Sequence, residues 1–307
     1  MASRPIIIDC DPGVDDAVAL LLAFAAPEAL DILAVTTVAG NVSAALTARN
    51  ACVIRALAGR PDVPVFAGCT RPMVRAPIEA EHFHGETGLG SLPFDEPAHG
   101  PAPEHAVNAI VRLVTDAPAP VTLVVTGPCT NLAMAFLMAP ALVDRIDEVV
   151  IMGGARSEGG NVTPSAEYNI FADPHAAHVV LTMARAVTVL SLDVTHQIRT
   201  TAARTAALAR VGGPRALAAV SLLEFSSAAT AAYGQGDGAP LHDPATIFWL
   251  LAPHLFVARP CRVDVEIAAP LTLGHTAVDF QASGNARWVT HADADAIFAI
   301  LNERLAP

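Results

Sequence analysis

An acidic cluster near the start of the sequence has the residue types of a metal-binding or catalytic segment. Four carboxylates, Asp9, Asp11, Asp15 and Asp16, fall within eight residues, directly after an apolar run. A helix start needs only one acid as its cap, and crowded carboxylates repel one another, so capping alone does not account for the cluster. Oxygen ligands in this number suit a hard divalent cation. An EF-hand loop does not fit, because Leu20 stands where that loop places a bidentate Glu.

A second chemistry is compatible with the same residues. Asp9 and Asp11 form an Asp-x-Asp motif after a predicted strand, as in phosphohydrolases that use an Asp nucleophile. Such an enzyme would have to bind phosphate without Lys, because all 18 basic residues are Arg. The lack of Lys also excludes Schiff-base enzymes, pyridoxal phosphate sites and P-loops. The identity of the product would separate a phosphohydrolase from other metal-dependent hydrolases.

The overall composition limits the partners of the chain. The net charge is −12 and the pI is about 5.2, which argues against nucleic acid and favours a small-molecule substrate. Apolar residues make up 53% and charged residues 16%, which is enough for one well-packed domain over residues 1–307. The five Cys are scattered without CxxC spacing, and there is no signal-peptide pattern or apolar run of membrane length. We therefore expect a cytoplasmic protein without a membrane segment.

Alternating strand and helix patterns predict the scaffold that positions the acids. Apolar runs rich in Val and Ile predict buried strands at 5–10, 32–38, 121–126, 148–152 and 187–192. Ala-rich stretches predict helices at 14–25, 43–57, 104–115, 131–138 and 174–183. Later helices are predicted at 215–233, 243–251 and 292–305, and short strands at 261–267 and 276–280. The predicted fold class is α/β, with a mostly parallel central sheet covered by helices on both faces and an active site at the carboxyl ends of the strands.

Six blocks of the sequence form a recognisable set of motifs. The blocks are Asp9-Cys10-Asp11-Pro12-Gly13-Val14-Asp15-Asp16-Ala17, Thr36-Thr37-Val38-Ala39-Gly40-Asn41, Thr126-Gly127-Pro128-Cys129-Thr130-Asn131-Leu132, Met152-Gly153-Gly154, Ala166-Glu167-Tyr168-Asn169 and Leu241-His242-Asp243-Pro244. They resemble the inosine-uridine-preferring nucleoside hydrolases. A chance match at one block is easy, but these six stand in the order of that family and span nearly the whole chain. The resemblance implies Ca²⁺-dependent hydrolysis of the N-glycosidic bond of ribonucleosides, giving ribose and a free base, in nucleoside salvage.

By this resemblance, one Ca²⁺ ion would be bound by Asp11, Asp16, Asp243 and the backbone carbonyl of Thr126, with water and the ribose diol completing its shell. These are the oxygen ligands that Ca²⁺ prefers. Asp11 would also be the general base that activates a metal-bound water for attack on the anomeric carbon. Nearby carboxylates and carbonyl dipoles would stabilise the positive charge that builds on the ribose. A simpler interpretation of Asp243, the start of a helix with Pro at its first position, is compatible with metal ligation.

The resemblance also implies a set of residues that bind the ribose. These are Asp15, Asn41, Met152, Asn161, Glu167 and Asn169. Without the resemblance, the two later Asn would be ordinary turn residues, Glu167 a solvated surface charge and Met152 a core residue. Together they supply the donors and acceptors that neutral ribose requires.

Three residues are expected to serve the departing base. His242 adjoins Asp243, and in one subgroup of the family a His at this place assists the leaving base, so the resemblance implies a catalytic role. His84 lies in a block similar to the His-Gly loop of the family. Tyr233 precedes a Gly-rich stretch at 234–238 that is suited to a lid, and its ring would either stack on the base or simply pack.

The sequence leaves three points open. A nucleoside- or sugar-binding protein without turnover would keep the same pocket, and binding without base release would support it. Preference for purine or pyrimidine nucleosides depends on loops around residues 71–92 and 221–238, whose conformation the sequence does not predict. The resemblance implies a homodimer or homotetramer.

Overall fold

Strands and helices alternate along most of the chain. The computed structural model describes residues 3–232 and 238–307. The strands are β1 (Arg4–Cys10), β2 (Leu30–Thr37), β3 (Val65–Ala67), β4 (Val121–Val125), β5 (Ile146–Met152), β6 (Val187–Leu190), β7 (Arg199–Thr200), β8 (Ala239–Pro240), β9 (Phe256–Val265), β10 (Thr276–Asp279) and β11 (Ala286–Ala292). The α-helices are α1 (Val14–Phe24), α2 (Ala44–Leu57), α3 (Glu81–His84), α4 (Ala106–Asp116), α5 (Thr130–Met138), α6 (Tyr168–Ala172), α7 (Pro174–Met183), α8 (Leu192–Thr195), α9 (Ala202–Val211), α10 (Gly213–Ala232), α11 (Pro244–Leu251) and α12 (Ala294–Arg304).

One large sheet organises the molecule. Its nine strands lie in the order β10-β9-β11-β6-β5-β4-β1-β2-β3. The pairs from β11 to β3 along this order are parallel, whereas β9 is antiparallel to both of its neighbours. β7 and β8 form a separate antiparallel pair. The predicted mostly parallel α/β fold is therefore confirmed.

Side chains of β1 alternate between two apolar cores, one on each face of the sheet. Ile6 and Ile8 belong to the core that contains α1, α10 and α11, and Ile7 belongs to the core that contains α4, α5 and α7. All three side chains are almost completely buried. This burial on both faces explains why β1 is a continuous apolar run rather than an alternating one.

The order of the strands brings the carboxyl ends of β1, β2 and β4 together. From β1 the chain passes through α1 to β2 on one side, and it later returns to β4 on the other side of β1. Ligands bind at such a reversal in open α/β sheets, because the connections leave a crevice there. The acidic cluster follows β1 and therefore lies at this crevice.

Several predicted boundaries need correction. The predicted strand 187–192 ends at Leu190, and its last residue begins α8. The predicted strand 261–267 begins earlier, at Phe256. Exposed and buried residues alternate along this strand near the edge of the sheet, so its first half lacks the continuous apolar run that marks the inner strands. Eight elements were not predicted from the sequence: α3, α6, α8, α9, β3, β7, β8 and β11. Among the described residues, no helix combines the length and apolarity needed to cross a membrane.

Candidate active site

Two helix starts bring the acids of the cluster together. Asp15 and Asp16 occupy the first turn of α1, and Asp243 directly precedes α11, which packs against α1. One carboxylate oxygen from each of these three residues lies within 4.8 Å of the others. This group contains two of the acids predicted as metal ligands, Asp16 and Asp243, together with Asp15, which was predicted to bind ribose; Asp11, the third predicted acid ligand, is not a member of it.

Asp11 follows β1 and has two unlike oxygens. Its Oδ2 accepts a hydrogen bond of 2.7 Å from the backbone amide of Asn41, whereas its buried Oδ1 has no partner among the described residues. Two glycines lie against this carboxylate. A Cβ on Gly40 would stand 2.0 Å from Oδ2, and one on Gly127 would stand 2.6 Å from Oδ1. The close approach of both loops therefore requires glycine at these positions.

Asp16 is held by partners from three segments. Its Oδ2 accepts hydrogen bonds from the backbone amide of Gly13 at 3.0 Å and from Nδ2 of Asn41 at 3.1 Å. Its Oδ1 accepts a bond of 2.8 Å from Oγ1 of Thr126. The carboxylate thus caps α1 and links it to the ends of β2 and β4.

The carboxylates of the cluster are buried close together, and a bound cation would neutralise their repulsion. Burial raises the pKa of Asp16 to about 6, and burial together with the charge of Asp16 raises the pKa of Asp11 well above its usual range. Burial and the neighbouring acids have the same effect on the pKa of Asp243. In the described part of the chain, no Arg forms an ion pair with any member of the cluster. Unpartnered Oδ1 atoms on Asp11 and Asp15 complete a donor set that fits a hard divalent cation.

Asn169 fixes the backbone carbonyl of Thr126 beside the acids. Its Nδ2 donates to the oxygen of Thr126 at 2.7 Å and to the oxygen of Met152 at 3.2 Å. A carbonyl oxygen has two lone pairs, so Thr126 retains one for a further ligand. Asn169 thereby ties the carboxyl end of β4 to that of β5.

A cavity of about 730 Å³ opens above the cluster. The sequence-predicted residues that line it are Asp15, Asn41, His84, Thr126, Met152, Asn161, Glu167, Asn169, His242 and Asp243. Asp11 and Asp16 are fully buried and are not among the lining residues. The prediction for Tyr233 lies outside the described residues. The remaining predicted site residues therefore converge on one place.

Glu167 is buried, contrary to the exposure that is usual for its type. It accepts hydrogen bonds from the backbone amides of Gly154, Asn169 and Ile170, so it caps α6 and ties that helix to the loop after β5. Burial raises the pKa of its carboxyl to about 7. Asn161 is exposed at the rim of the cavity, where its Oδ1 accepts the backbone amide of Tyr168 at 2.9 Å.

The two predicted histidines have different partners. Nδ1 of His84 accepts the backbone amide of Val14 at 3.1 Å and lies 3.9 Å from an oxygen of Asp15. Nδ1 of His242 lies 2.8 Å from Oγ1 of Thr195. Burial lowers the pKa of His84 to about 4 and that of His242 to about 3. Both rings are therefore neutral near pH 7.

Many of the residues that line this cavity were not predicted from the sequence, and three of them are described here. His196 and Glu158 lie on its wall next to His242, and Tyr168 lines it while its hydroxyl donates to the backbone oxygens of Gly40 and Ile78. His196 could have been found, because it follows the fifth predicted strand together with Asp193. Glu158 stands in a loop without a motif and gives no signal in the sequence.

Comparisons with known proteins agree with this geometry. The model of the inosine-uridine preferring nucleoside hydrolase family matches residues 6–299. The chain is 46% identical over 285 residues to the pyrimidine-specific ribonucleoside hydrolase RihA of Photobacterium profundum, covering 92% of this chain and 91% of the relative. It is 42% identical to an uncharacterized protein of Schizosaccharomyces pombe, covering 98% of both chains.

Solved structures of nucleoside hydrolases share the fold. A plant nucleoside hydrolase superposes with a TM-score of 0.91 at 30% identity, covering 99% of both chains. A purine-preferring ribonucleoside hydrolase from Gardnerella vaginalis superposes with a TM-score of 0.92 at 29% identity, covering 98% of both chains. The likeness therefore extends over nearly the whole chain in both sequence and structure.

Proposed function

Since the chain belongs to the inosine-uridine preferring nucleoside hydrolase family and hydrolyses ribonucleosides, we propose that it splits pyrimidine ribonucleosides into ribose and free base at a Ca²⁺ ion. The pyrimidine preference is supported by the relatives named pyrimidine-specific, which are 42–46% identical to this chain. The purine-preferring structure is more distant, at 29%. The observation that carries the proposal is a cluster of acids that forms no ion pair with any Arg of the described residues, at the base of a nucleoside-sized cavity.

The cation would be held by the side chains of Asp11, Asp16 and Asp243 and by the carbonyl of Thr126, with Asp15 close enough to contribute. When bound, the ion would neutralise the carboxylates, acidify the attacking water and bind the ribose diol. The donors are all hard oxygens, which favours Ca²⁺ over softer transition metals.

Asp11 is the general base of the proposed mechanism. Its Oδ2 is fixed by the amide of Asn41, so its unpartnered Oδ1 can take a proton from the water that attacks the anomeric carbon. The acids around it stabilise the positive charge of an oxocarbenium-like ribose.

The ribose would be bound by polar residues on one side of the cavity. Asp15, Asn41 and Asn169 line it near the metal cluster, and Asn161 lies farther out at the rim. Glu167 would accept from a sugar hydroxyl while its amide partners hold it in place. Met152 is buried at the end of β5 and would form the apolar floor beneath the sugar.

The departing base would face the histidines. If Thr195 donates its hydroxyl hydrogen to Nδ1 of His242, the imidazole carries its own hydrogen on Nε2 and can donate it to the base. His84 lines the same cavity, but its Nδ1 is occupied by the amide of Val14. We therefore assign the hydrogen bond to the base to His242.

A panel of substrates tests the proposed function. Purified protein is loaded with Ca²⁺ and offered uridine, cytidine, inosine and p-nitrophenyl phosphate, and base, ribose and nitrophenol are quantified. We expect uracil and ribose in equal amounts, slower release of hypoxanthine and no nitrophenol. Release of nitrophenol would favour an Asp-nucleophile phosphohydrolase, and uridine binding without uracil would indicate a binding protein.

We also propose that the protein forms a homodimer or homotetramer. The exposed apolar side chains of Leu137 and Met138 support this proposal, and a mass measurement in solution tests it.

A further inference from the structure

A second histidine lies beside His242 on the cavity wall. The ring centroids of His196 and His242 are 5.8 Å apart, and both rings line the cavity. Nδ1 of His196 lies 2.9 Å from Oε2 of Glu158, which lines the cavity as well. His196 follows α8 and Glu158 stands in the loop after β5, so two separate segments meet to form this pair.

The contact with Glu158 settles which nitrogen of His196 carries a hydrogen. An ionised carboxylate can only accept, so Nδ1 of His196 is the donor. Nε2 of His196 has no hydrogen-bond partner among the described residues. The side chain retains 30% of its exposure, which leaves the ring accessible from the cavity.

This arrangement differs from that of His242 in a way that matters for proton transfer. A histidine whose Nδ1–H is held by a carboxylate can take up a proton on Nε2 and release it again, because the carboxylate stabilises the imidazolium that forms. The hydrogen-bond partner of Nδ1 of His242 among residues 3–232 and 238–307 is the neutral hydroxyl of Thr195. His242 is therefore suited to donating a hydrogen bond, and His196 to supplying a proton.

We propose that His196, oriented by Glu158, is the acid that protonates the departing nucleobase. The inference rests on the proposed hydrolysis of nucleosides. As the bond between C1′ and the base nitrogen breaks, its electron pair goes to the base, and the base takes the proton from Nε2 of His196. His196 is left neutral, with Nδ1–H still on Glu158. The proton that Asp11 removes from water passes to solvent, and solvent reprotonates His196, so that water and nucleoside yield ribose and neutral base.

Two substrates with different leaving groups test this role. A pyrimidine needs protonation to depart, whereas p-nitrophenolate is a good leaving group without it. We expect His196→Ala to lose roughly 10²–10⁴-fold in kcat on uridine and to hydrolyse p-nitrophenyl riboside at nearly the rate of the unmodified protein. Added imidazole should restore part of the uridine activity of His196→Ala. Glu158→Gln, which keeps a hydrogen-bond acceptor but loses the charge, should show a smaller loss in the same direction.

The controls separate this inference from the proposed function. His254→Ala changes an exposed histidine outside the cavity and should leave both rates unchanged. Activity of His196→Ala on p-nitrophenyl riboside shows that the variant is folded and that the acidic cluster works, and His196→Asn replaces it if the Ala variant does not fold. Equal losses on both substrates, or unchanged uridine turnover, would overturn the role of His196. If the unmodified protein hydrolyses neither substrate, the proposed function itself fails.

Discussion

Asn41 donates its backbone amide hydrogen to Oδ2 of Asp11 at 2.7 Å, and Oδ1 of the same carboxylate is left buried without a partner among the described residues. One oxygen is therefore fixed by the loop after β2, and the other is free for a cation or a proton. The Nδ2 of Asn41 also donates to the backbone oxygen of Asp11 at 3.1 Å, so Asn41 holds both the side chain and the backbone of Asp11.

Asp11→Asn should abolish most activity and stabilise the metal-free protein. The amide cannot serve as a base, so kcat on uridine should fall by roughly 10²–10⁴-fold or more. At the same time, removal of one acid from the crowded cluster relieves repulsion with Asp16, so the Tm measured in chelator should rise. Asp264→Asn, at an exposed position of β9, is the matched control and should change neither quantity. Near-normal turnover of Asp11→Asn would remove Asp11 from the mechanism.

Removal and return of Ca²⁺ should control both activity and stability. A chelator should abolish uridine turnover, and added Ca²⁺ should restore it. Binding to the folded state alone contributes about 2.7 kcal/mol when the free ion is at roughly a hundredfold its Kd, so the Tm should rise with Ca²⁺ concentration. Calorimetry and turnover on the same samples give both values. Full activity in a sample shown to be free of metal would contradict the proposed site.

The metal-free protein should become less stable as pH rises from about 5 to about 7.5. The pKa of Asp16 is raised to about 6 and that of Glu167 to about 7, so the folded state binds more protons than the unfolded state in this window. Stability that is present below the unfolded pKa values is then lost as pH passes through the folded ones. The lowered pKa of His84 acts in the opposite direction, but the raised carboxyls outnumber the lowered histidines.

Thermal unfolding in chelator at several pH values measures this slope. With saturating Ca²⁺ the slope should flatten or change sign, because the cation competes with protons for the same oxygens. Asp16→Asn should reduce the slope in chelator. A metal-free protein whose stability increases steadily up to pH 7.5 would show that the cluster is not a source of repulsion.

Thr195→Val should slow the hydrolysis of uridine more than the hydrolysis of p-nitrophenyl riboside. The contact of 2.8 Å between Oγ1 of Thr195 and Nδ1 of His242 selects the ring tautomer, and valine keeps the shape but removes the hydroxyl. Loss of one such hydrogen bond is worth about 1 kcal/mol, which corresponds to roughly a fivefold lower kcat on uridine. Thr205→Val, in α9, removes a hydroxyl that donates to the backbone oxygen of Thr201 at the start of the same helix, and it serves as the control. Comparable rates for both variants would show that Thr195 does not orient His242.

Gly40→Ala should disable the site through crowding. The new methyl group would stand 2.0 Å from Oδ2 of Asp11, so the carboxylate or the loop must move. Such overpacking costs about 1–3 kcal/mol, and a displaced Asp11 should reduce uridine turnover severely. Gly100→Ala is the control, because a Cβ there would meet no atom within 4 Å. Denaturant unfolding and kinetics on both variants check the expectation.

The parts of the fold that the sequence predicts are those with a strong local pattern. α7 was predicted with both ends correct, because Pro174 marks its start and Asp173 caps it. β1 was predicted to within one residue, since its apolar run ends at the first acid. β3 was missed because it has only three residues, and α9 was missed because little of its surface is apolar and buried. Patterns that depend on distant neighbours are therefore beyond local sequence reasoning.

The same distinction applies to the site. Asp11, Asp16 and Asn169 stand in conspicuous motifs, and the structure places all of them around one cluster. The hydrogen bonds of Asn169 and Glu167, however, are made with backbone groups of other segments, such as the carbonyl of Thr126 and the amide of Gly154. The sequence contains no local signal for such partners, because the fold alone brings them together.

The packing of α11 against α1 has a consequence for the growing chain. Asp11, Asp15 and Asp16 are synthesised early, but Asp243 emerges from the ribosome only after most of the sheet has been made. A nascent chain that lacks α11 therefore has an incomplete set of oxygen ligands and should bind Ca²⁺ weakly. Because an ion stabilises only the state that binds it, Ca²⁺ would favour chains in which α11 has been made over shorter precursors, and so would help to hold α11 against α1.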